Sequence, residues 1–314
     1  MVVVWSPRHR DHRPLHEQQN GRLVPNLDTP ERLDALVEAL AASALPVRLE
    51  KPPPLPEAEL LRVHDPDYVA HTRQTCARLG PAEEWFPTDL EAEHSLDASA
   101  PLFRETHACA LAAAGCAARV AHLLLSGEPL AYALCRPPGH HADRRRRGGV
   151  CYYNNAALAA DLLSCAGRVA VLDLDLHYGN GTIDILQSRP EVRLVSIHAS
   201  TEIAYPFAAG GSSAASIPLS ADSGDGEFLD AVDDALTRLA AFSPAHLVVS
   251  IGYDGHIDDP DNDVLQLTDA AFAGAGERLA ALRVPTALIQ EGGYNPATIG
   301  RLSACFCQPL TGAV

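Results

Sequence analysis

Lysine is nearly missing from this 314-residue chain: Lys51 is the single one, so every other basic residue is an arginine. Basic residues are scarce altogether, 24 against 40 Asp and Glu, and the net charge of −16 argues against a protein that neutralises nucleic-acid phosphates. Cationic partners would be attracted instead. No Cys-x-x-Cys pair occurs among the eight cysteines, which excludes a disulfide scaffold and leaves them as small core residues or free thiols of a reducing compartment. No apolar run is read as a membrane span, and residues 1–5 are followed by Arg8 and Arg10 rather than by the apolar stretch of an export signal. The expectation is a cytoplasmic globular enzyme with no membrane partner. Internal repeats and long linkers are also lacking, and the two compositionally odd stretches, 51–56 and the four arginines 144–147, are too short to separate domains. The length fits one large α/β domain or two ordinary ones.

What is present alternates. Thr29-Pro30 opens a helix carrying Leu33, Leu36, Val37 and Leu40 at helical spacing, and an alanine-rich helix is predicted over 102–125. Short β-branched runs at 131–135, 168–176, 192–197, 245–251 and 285–290 are predicted strands, with amphipathic helices at 155–165 and 227–242 between them. Almost wholly apolar strands alternating with helices read as a parallel sheet covered on both faces. Each strand is followed by a polar cluster: Arg136-Pro-Pro-Gly-His-His141, Asp173 to His177, His198, Asp254 to Asp259, and Glu291-Gly-Gly-Tyr294. Ligands bind beyond the carboxyl ends of such strands, so the clusters are expected to converge on one pocket.

In Val169-Ala-Val-Leu-Asp-Leu-Asp-Leu-His177, strict alternation puts Leu172, Leu174 and Leu176 on one face and Asp173, Asp175 and His177 on the other. Burying two carboxylates and an imidazole unpaired costs several kcal/mol per charge, roughly what metal coordination or ion pairing must offset. Ligands from this strand end, alone or with a third from another loop, would make a three-ligand centre with an open position, as catalytic zinc requires. Asp254, which also follows a buried strand, is the natural distant ligand; its neighbours Asp258, Asp259, Asp261 and Asp263 read as a solvated acidic loop. His140 and His141 stand on a stiff Pro-Pro-Gly turn and titrate in the range a base for metal-bound water needs. Tyr294 can supply a phenolic donor to a developing oxyanion. His9, His12 and His16 are irregularly spaced and are not read as a second metal site. Cys305 and Cys307 read as apolar packing, and residues 144–147 as a solvated loop that could rim the pocket.

Five motifs, Arg136-Pro-Pro-Gly-His-His-Ala142, Gly148-Gly-Val-Cys-Tyr-Tyr-Asn-Asn155, Asp173-Leu-Asp-Leu-His-Tyr-Gly-Asn-Gly-Thr182, Ser196-Ile-His198 and Glu291-Gly-Gly-Tyr294, occur in the order of the histone deacetylase superfamily, which the chain resembles over nearly its whole length. His16-Glu17, Gly21-Arg-Leu-Val-Pro25, Val63-His-Asp65, Pro87-Thr-Asp89 and Ala131-Tyr-Ala-Leu-Cys135 are similar to the acetylpolyamine amidohydrolase branch. The resemblance implies a single catalytic domain over 1–314 with an arginase-like three-layer α/β/α fold and a mostly parallel sheet. It implies one Zn2+ per chain held by Asp175, His177 and Asp254, and a structural K+ at Asp173, Asp175, His177 and Ser196. His141 would act as general base and then as acid to the leaving amine, supported by Asn180. His140, oriented by Asp173, would be its electrostatic partner, and Tyr294 would polarise the acyl carbonyl. The implied activity is hydrolysis of acetyl or short acyl groups from primary amines, with an acetylpolyamine or acetyl-lysine peptide as substrate.

Gly149 and Val150 fall on the expected substrate channel, and Val150 stands where the family usually has an aromatic wall, which implies a wider tunnel. Tyr178 replaces a frequent second histidine. The stretch 199–216 lacks the family's glycine- and asparagine-rich pattern, and the segment before Leu102 is short, so both a monomer and a homodimer stay open. The arginines 144–147 would repel a polyamine, whereas Glu17 at the rim would attract its ammonium groups. Two other readings remain: a binuclear manganese ureohydrolase of arginase type, and a non-catalytic acyl-ligand binder.

Overall fold

The computed structural model describes residues 1–19, 21–87, 93–207 and 215–312. Eight strands form one sheet: β1 (Val2–Trp5), β4 (Arg48–Glu50), β5 (Leu130–Leu134), β6 (Val169–Asp173), β7 (Val192–Ala199), β8 (Ser216–Leu219), β9 (His246–Ile251) and β10 (Thr286–Gln290), in the order β4-β1-β5-β10-β9-β6-β7-β8. Every pairing in it is parallel. A separate antiparallel hairpin pairs β2 (His16–Gln19) with β3 (Arg22–Pro25).

Parallel strands need crossovers, and the helices that supply them cover both faces. On one face, α3 (Pro66–Arg78), α4 (Thr106–Leu125), α5 (Asn155–Ser164) and α6 (Asn180–Leu186) enclose a core with Val2, Val4, Ala131, Val169, Val171, Val248 and Ile289. On the other, α1 (Pro30–Ala42), α7 (Asp225–Ala240), α8 (Asp269–Leu282) and α9 (Pro296–Gly312) enclose Val3, Tyr132, Leu172, Val195, Val249 and Leu288. The short α2 (Glu57–Leu60) precedes α3. Odd and even strand positions thus serve opposite layers, the period-two rule applied to strands buried on both sides. The fold is the expected single three-layer α/β/α domain, with a wholly parallel main sheet.

Several boundaries differ from the sequence reading. The strand expected over 168–176 stops at Asp173, because Asp173 Oδ1 accepts from Asp175 N at 3.1 Å and Asp175 Oδ1 from His177 N at 3.0 Å, which takes those amides out of the ladder. Leu172, Leu174 and Leu176 still share one core, so the alternation outlasts the strand. Helix α4 starts at Thr106 rather than 102 and is long and apolar enough to cross a membrane by length and composition, which corrects the reading that no such run exists; most of it is buried in the core. Residues 1–5, read only as a terminus, supply β1 between β4 and β5. Thr88 and Asp89 of the quoted Pro87-Thr-Asp89, and 208–214 of the stretch 199–216, lie outside the described residues.

Candidate active site

Strands β5, β10, β9 and β6 are consecutive neighbours in the sheet, so the residues following them are brought to one edge. There Asp175, His177 and Asp254 each offer a ligand atom within 4.8 Å of the others. His177 Nδ1 lies 3.3 Å from Asp175 Oδ1 and 3.2 Å from Asp254 Oδ2. Two glycines make room: a methyl group at Gly252 or at Gly292 would overlap carboxylate oxygens of both Asp175 and Asp254. Gly292 N donates to Asp175 Oδ2 at 2.8 Å, and Leu176 N to Asp254 Oδ1 at 3.2 Å. Asp254 Oδ2 is buried and makes no hydrogen bond.

The electrostatics of this cluster ask for a cation. Burial, then Asp175, push the Asp254 carboxyl up to about 8, whereas Asp175 is held below the usual carboxylate range because His140 and His177 outweigh its burial. His177 is raised against its burial by Asp175 and Asp254, the two carboxylates that face its Nδ1. Two oxygen donors, one imidazole and an unsatisfied buried oxygen fit a divalent transition metal. Among the described residues this is the single group of its kind, so the denser carboxylate set of a binuclear centre is not found among them.

The two histidines behave oppositely. Burial disfavours charge on both, but Asp175 and Asp173 outweigh it at His140 and push that ring up to about 10. His140 Nδ1 meets Asp173 Oδ2 at 3.1 Å. His141 is driven well below the usual histidine range by burial, then by His140 and His177. Its Nδ1 lies 2.7 Å from the Asn180 amide, which can accept from an Nδ1–H or, turned over, donate to an Nδ1 lone pair while also donating to Tyr178 O. The two rings, pushed in opposite directions, lie 4.0 Å apart, centroid to centroid, with their planes tilted by 42°.

The turn carrying this pair rests on Glu291, whose Oε2 accepts from Gly139 N at 2.7 Å and His140 N at 3.2 Å. Burial pushes Glu291 up to about 7 from its ordinary 4.5. An acid raised in the folded state keeps its proton there after the unfolded chain has lost its own, so stability falls as pH climbs from about 4.5 to about 7. Glu291→Gln, a neutral mimic, is expected to gain melting temperature relative to the parent across that window. Melts from pH 5 to 8 check this, and an offset independent of pH would count against it.

Tyr294 sits under the Arg32 guanidinium, 4.6 Å from the ring centroid, and its phenol is pushed well above the usual range by burial, then by Asp261. Arg32 is itself buried, bonded to Asp28 and to the carbonyls of Gly293 and Glu291. Ser196 pairs with Asp173 across β6 and β7, and its Oγ accepts from Gly179 N at 3.3 Å. Gly149 and Val150 border His141: a methyl at Gly149 would overlap that ring, and Val150 is buried at a φ of 55°, an uncommon conformation for a β-branched residue. Glu17 is buried in β2, whose Gln18 N donates to Ala98 O, rather than standing free at a rim.

Three sequence readings need correction. Asp259 is 5% exposed and binds the backbone of Tyr294, so it faces the site rather than solvent, and the half-buried Asp261 has its Oδ2 3.8 Å from His177 Nε2. Arg147 is fully buried, donating to Ala100 O and His94 O over the Trp85 ring, while Arg144 to Arg146 are exposed as read. Cys305 is half-buried and Cys165 exposed, the other cysteines being interior. The buried His9 and His12 face Asp34 and Asp28, outside the metal cluster. Tyr205 was missed altogether: its ring stands edge-on to His141 with centroids 4.6 Å apart, and its hydroxyl donates to Asp97. The one signal for it was an aromatic in the loop after β7.

The histone deacetylase domain matches residues 26–310, and the chain belongs to that family of hydrolytic deacetylases. Within it, the chain is 37% identical to an acetylpolyamine amidohydrolase of Burkholderia pseudomallei (strain 1710b), over 94% of each protein. It is 33% identical to acetylpolyamine amidohydrolase 1 of Pseudomonas aeruginosa, over 100% of this chain and 99% of that one. The crystal structure of acetylpolyamine aminohydrolase from Burkholderia pseudomallei superposes with a TM-score of 0.91 at 34% identity, covering 100% of this chain and 99% of that one. The HDA15 HD domain superposes at 0.83 with 27% identity, covering 99% and 88%.

Proposed function

We propose that this protein is a zinc-dependent amidohydrolase that removes acetyl or short acyl groups from primary amines, acetylated polyamines foremost. The observation that carries the reading is the buried Asp175, His177 and Asp254 cluster beside the His140 and His141 pair, each ring held through Nδ1 by Asp173 or Asn180. Zinc held by these three side chains would polarise the acyl carbonyl and acidify a bound water. His141, neutral and buried, takes the proton of the attacking water and later returns it to the amine nitrogen as the C–N bond breaks. Asn180 serves both states as an acceptor, since the Nδ1–H that its Oδ1 takes at 2.7 Å is kept by the ring whether or not Nε2 carries the transferred proton. His140, kept charged by Asp175 and Asp173, restrains charge build-up on its neighbour. Tyr294 donates its phenolic proton in a hydrogen bond to the carbonyl oxygen as charge develops there.

The chain as a whole, 1–314, is proposed to form one catalytic domain, with a structural K+ held at Asp173, Asp175, His177 and Ser196. The polyamine preference is supported by the similarity to acetylpolyamine amidohydrolases and by the surplus of acid over base. Gly149 and Val150 are assigned to the channel wall; Glu17, buried in β2, is not assigned a substrate contact.

Acetate release is to be measured on acetylputrescine, acetylspermidine, an acetyl-lysine peptide and longer acyl amides. The acetylpolyamines are expected to lead in kcat/KM by about tenfold, the order that one or two charge contacts supply. Release of acid from none of these amides refutes the activity; equal turnover of all refutes the preference.

A further inference from the structure

We propose that Asp259 is the positioning residue for Tyr294, setting where the phenol stands relative to the metal ligands. The inference rests on the deacylation proposed above. Asp259 Oδ2 accepts from Tyr294 N at 2.6 Å and Asn295 N at 3.2 Å, and Oδ1 accepts from Asp261 N at 3.1 Å. One buried carboxylate thus holds three backbone amides, two of them in the turn that carries the tyrosine. The rest of that turn is tied elsewhere: Gly292 N to Asp175, Gly292 O to Gln290 Nε2 at 2.8 Å, and Gly293 O to Arg32. Asp259 is the side chain that holds the Tyr294 and Asn295 amides.

The position of Asp259 in the chain gives this contact its use. It lies five residues after the ligand Asp254, in a loop that is itself stiff. Asn262 Nδ2 donates to Gly255 O, His256 O and Leu265 O, and its Oδ1 accepts from Val264 N and Leu265 N. His256 Nε2 meets Asp269 Oδ1 at 3.1 Å, and Asp258 N donates to His256 Nδ1 at 3.1 Å. Asn295 Nδ2 returns a bond to Asp258 O at 2.7 Å. The ligand at one end of a braced loop and the tyrosine turn clamped to its middle make one rigid unit. An oxyanion donor works only when held within roughly 0.5 Å of its productive place, and ionised acceptors make the stronger and shorter bonds that such holding needs.

The clamp and the phenol should therefore act as a single device in a mutant cycle. In Asp259→Ala, kcat is expected to fall about 30-fold or more with KM and bound metal unchanged, and Asp259→Asn, which keeps one acceptor oxygen, to recover most of it. In a Tyr294→Phe background Asp259→Ala should cost nothing further, because the group it positions is gone. Equal losses in both backgrounds overturn the proposal. Hydrogen exchange read by mass spectrometry provides an arm that needs no substrate: residues 291–297 should exchange faster in Asp259→Ala than in the parent while 137–142 stay protected. Unchanged exchange in 291–297 overturns the proposal even if the parent protein hydrolyses no acyl amine, an outcome that refutes the activity separately. Asp259→Leu, which keeps the volume and removes both acceptor oxygens, carries the cycle and the exchange arm should the alanine variant fail to fold.

Discussion

Tyr294→Phe is expected to bind zinc as the parent does and to lose roughly 10²- to 10³-fold in kcat on an acetylpolyamine, the loss typical of deleting one oxyanion donor. The ring itself is retained, so its seat under Arg32 and the bonds of its backbone are kept, and fold and metal loading should not change. The loss should fall on kcat rather than KM, because the phenol hydrogen bond strengthens only as charge moves onto the carbonyl oxygen. Steady-state kinetics with metal analysis of the same sample check this. Parent-like kcat would remove Tyr294 from the mechanism.

Removal of the metal by a chelator is expected to abolish turnover, and one equivalent of Zn2+ per chain to restore it. Stability should follow, since a ligand at about 100 times its Kd adds about 2.7 kcal/mol to a folded state that alone binds it. The melting temperature of the stripped protein should therefore fall and recover with titrated zinc. The pH dependence has a definite sign. Without a cation the cluster retains protons, with Asp254 pushed up to about 8 and His177 raised above the usual histidine range. The metal must displace those protons, so apparent affinity should climb with pH up to about 8. Competition against a chelator of known affinity at pH 6, 7 and 8 measures it; an affinity flat in pH would refute the ligand assignment, as would a requirement for two divalent transition-metal ions per chain.

Much of the site is legible because each part announces itself locally. Asp173, Asp175 and His177 alternate with leucines on an apolar strand, and burial makes that pattern too costly without a partner. Asp254 and the His140 and His141 pair stand just after apolar strands, where a parallel sheet collects its ligands. Residues whose role depends on a distant partner are hidden. Asp259 lies among Asp258, Asp261 and Asp263, and nothing in such a run distinguishes the one that meets the Tyr294 amide 35 residues away. Arg147 and Arg146 are adjacent and identical, yet one is interior and the other exposed. Tyr205 reaches His141 from a loop whose composition suggested no wall.

The sequence by itself determined the layered parallel architecture and the chemical types at the strand ends, because period and spacing are local quantities, and five motifs in order carried the resemblance to the family. Only the tertiary structure decided which neighbours face each histidine, and hence that His140 is pushed up and His141 down, since that difference comes from carboxylates 33 and 35 residues along the chain. It alone turned Asp259 and Arg147 inward. Field and burial depend on distance in space, and a sequence records only order along the chain.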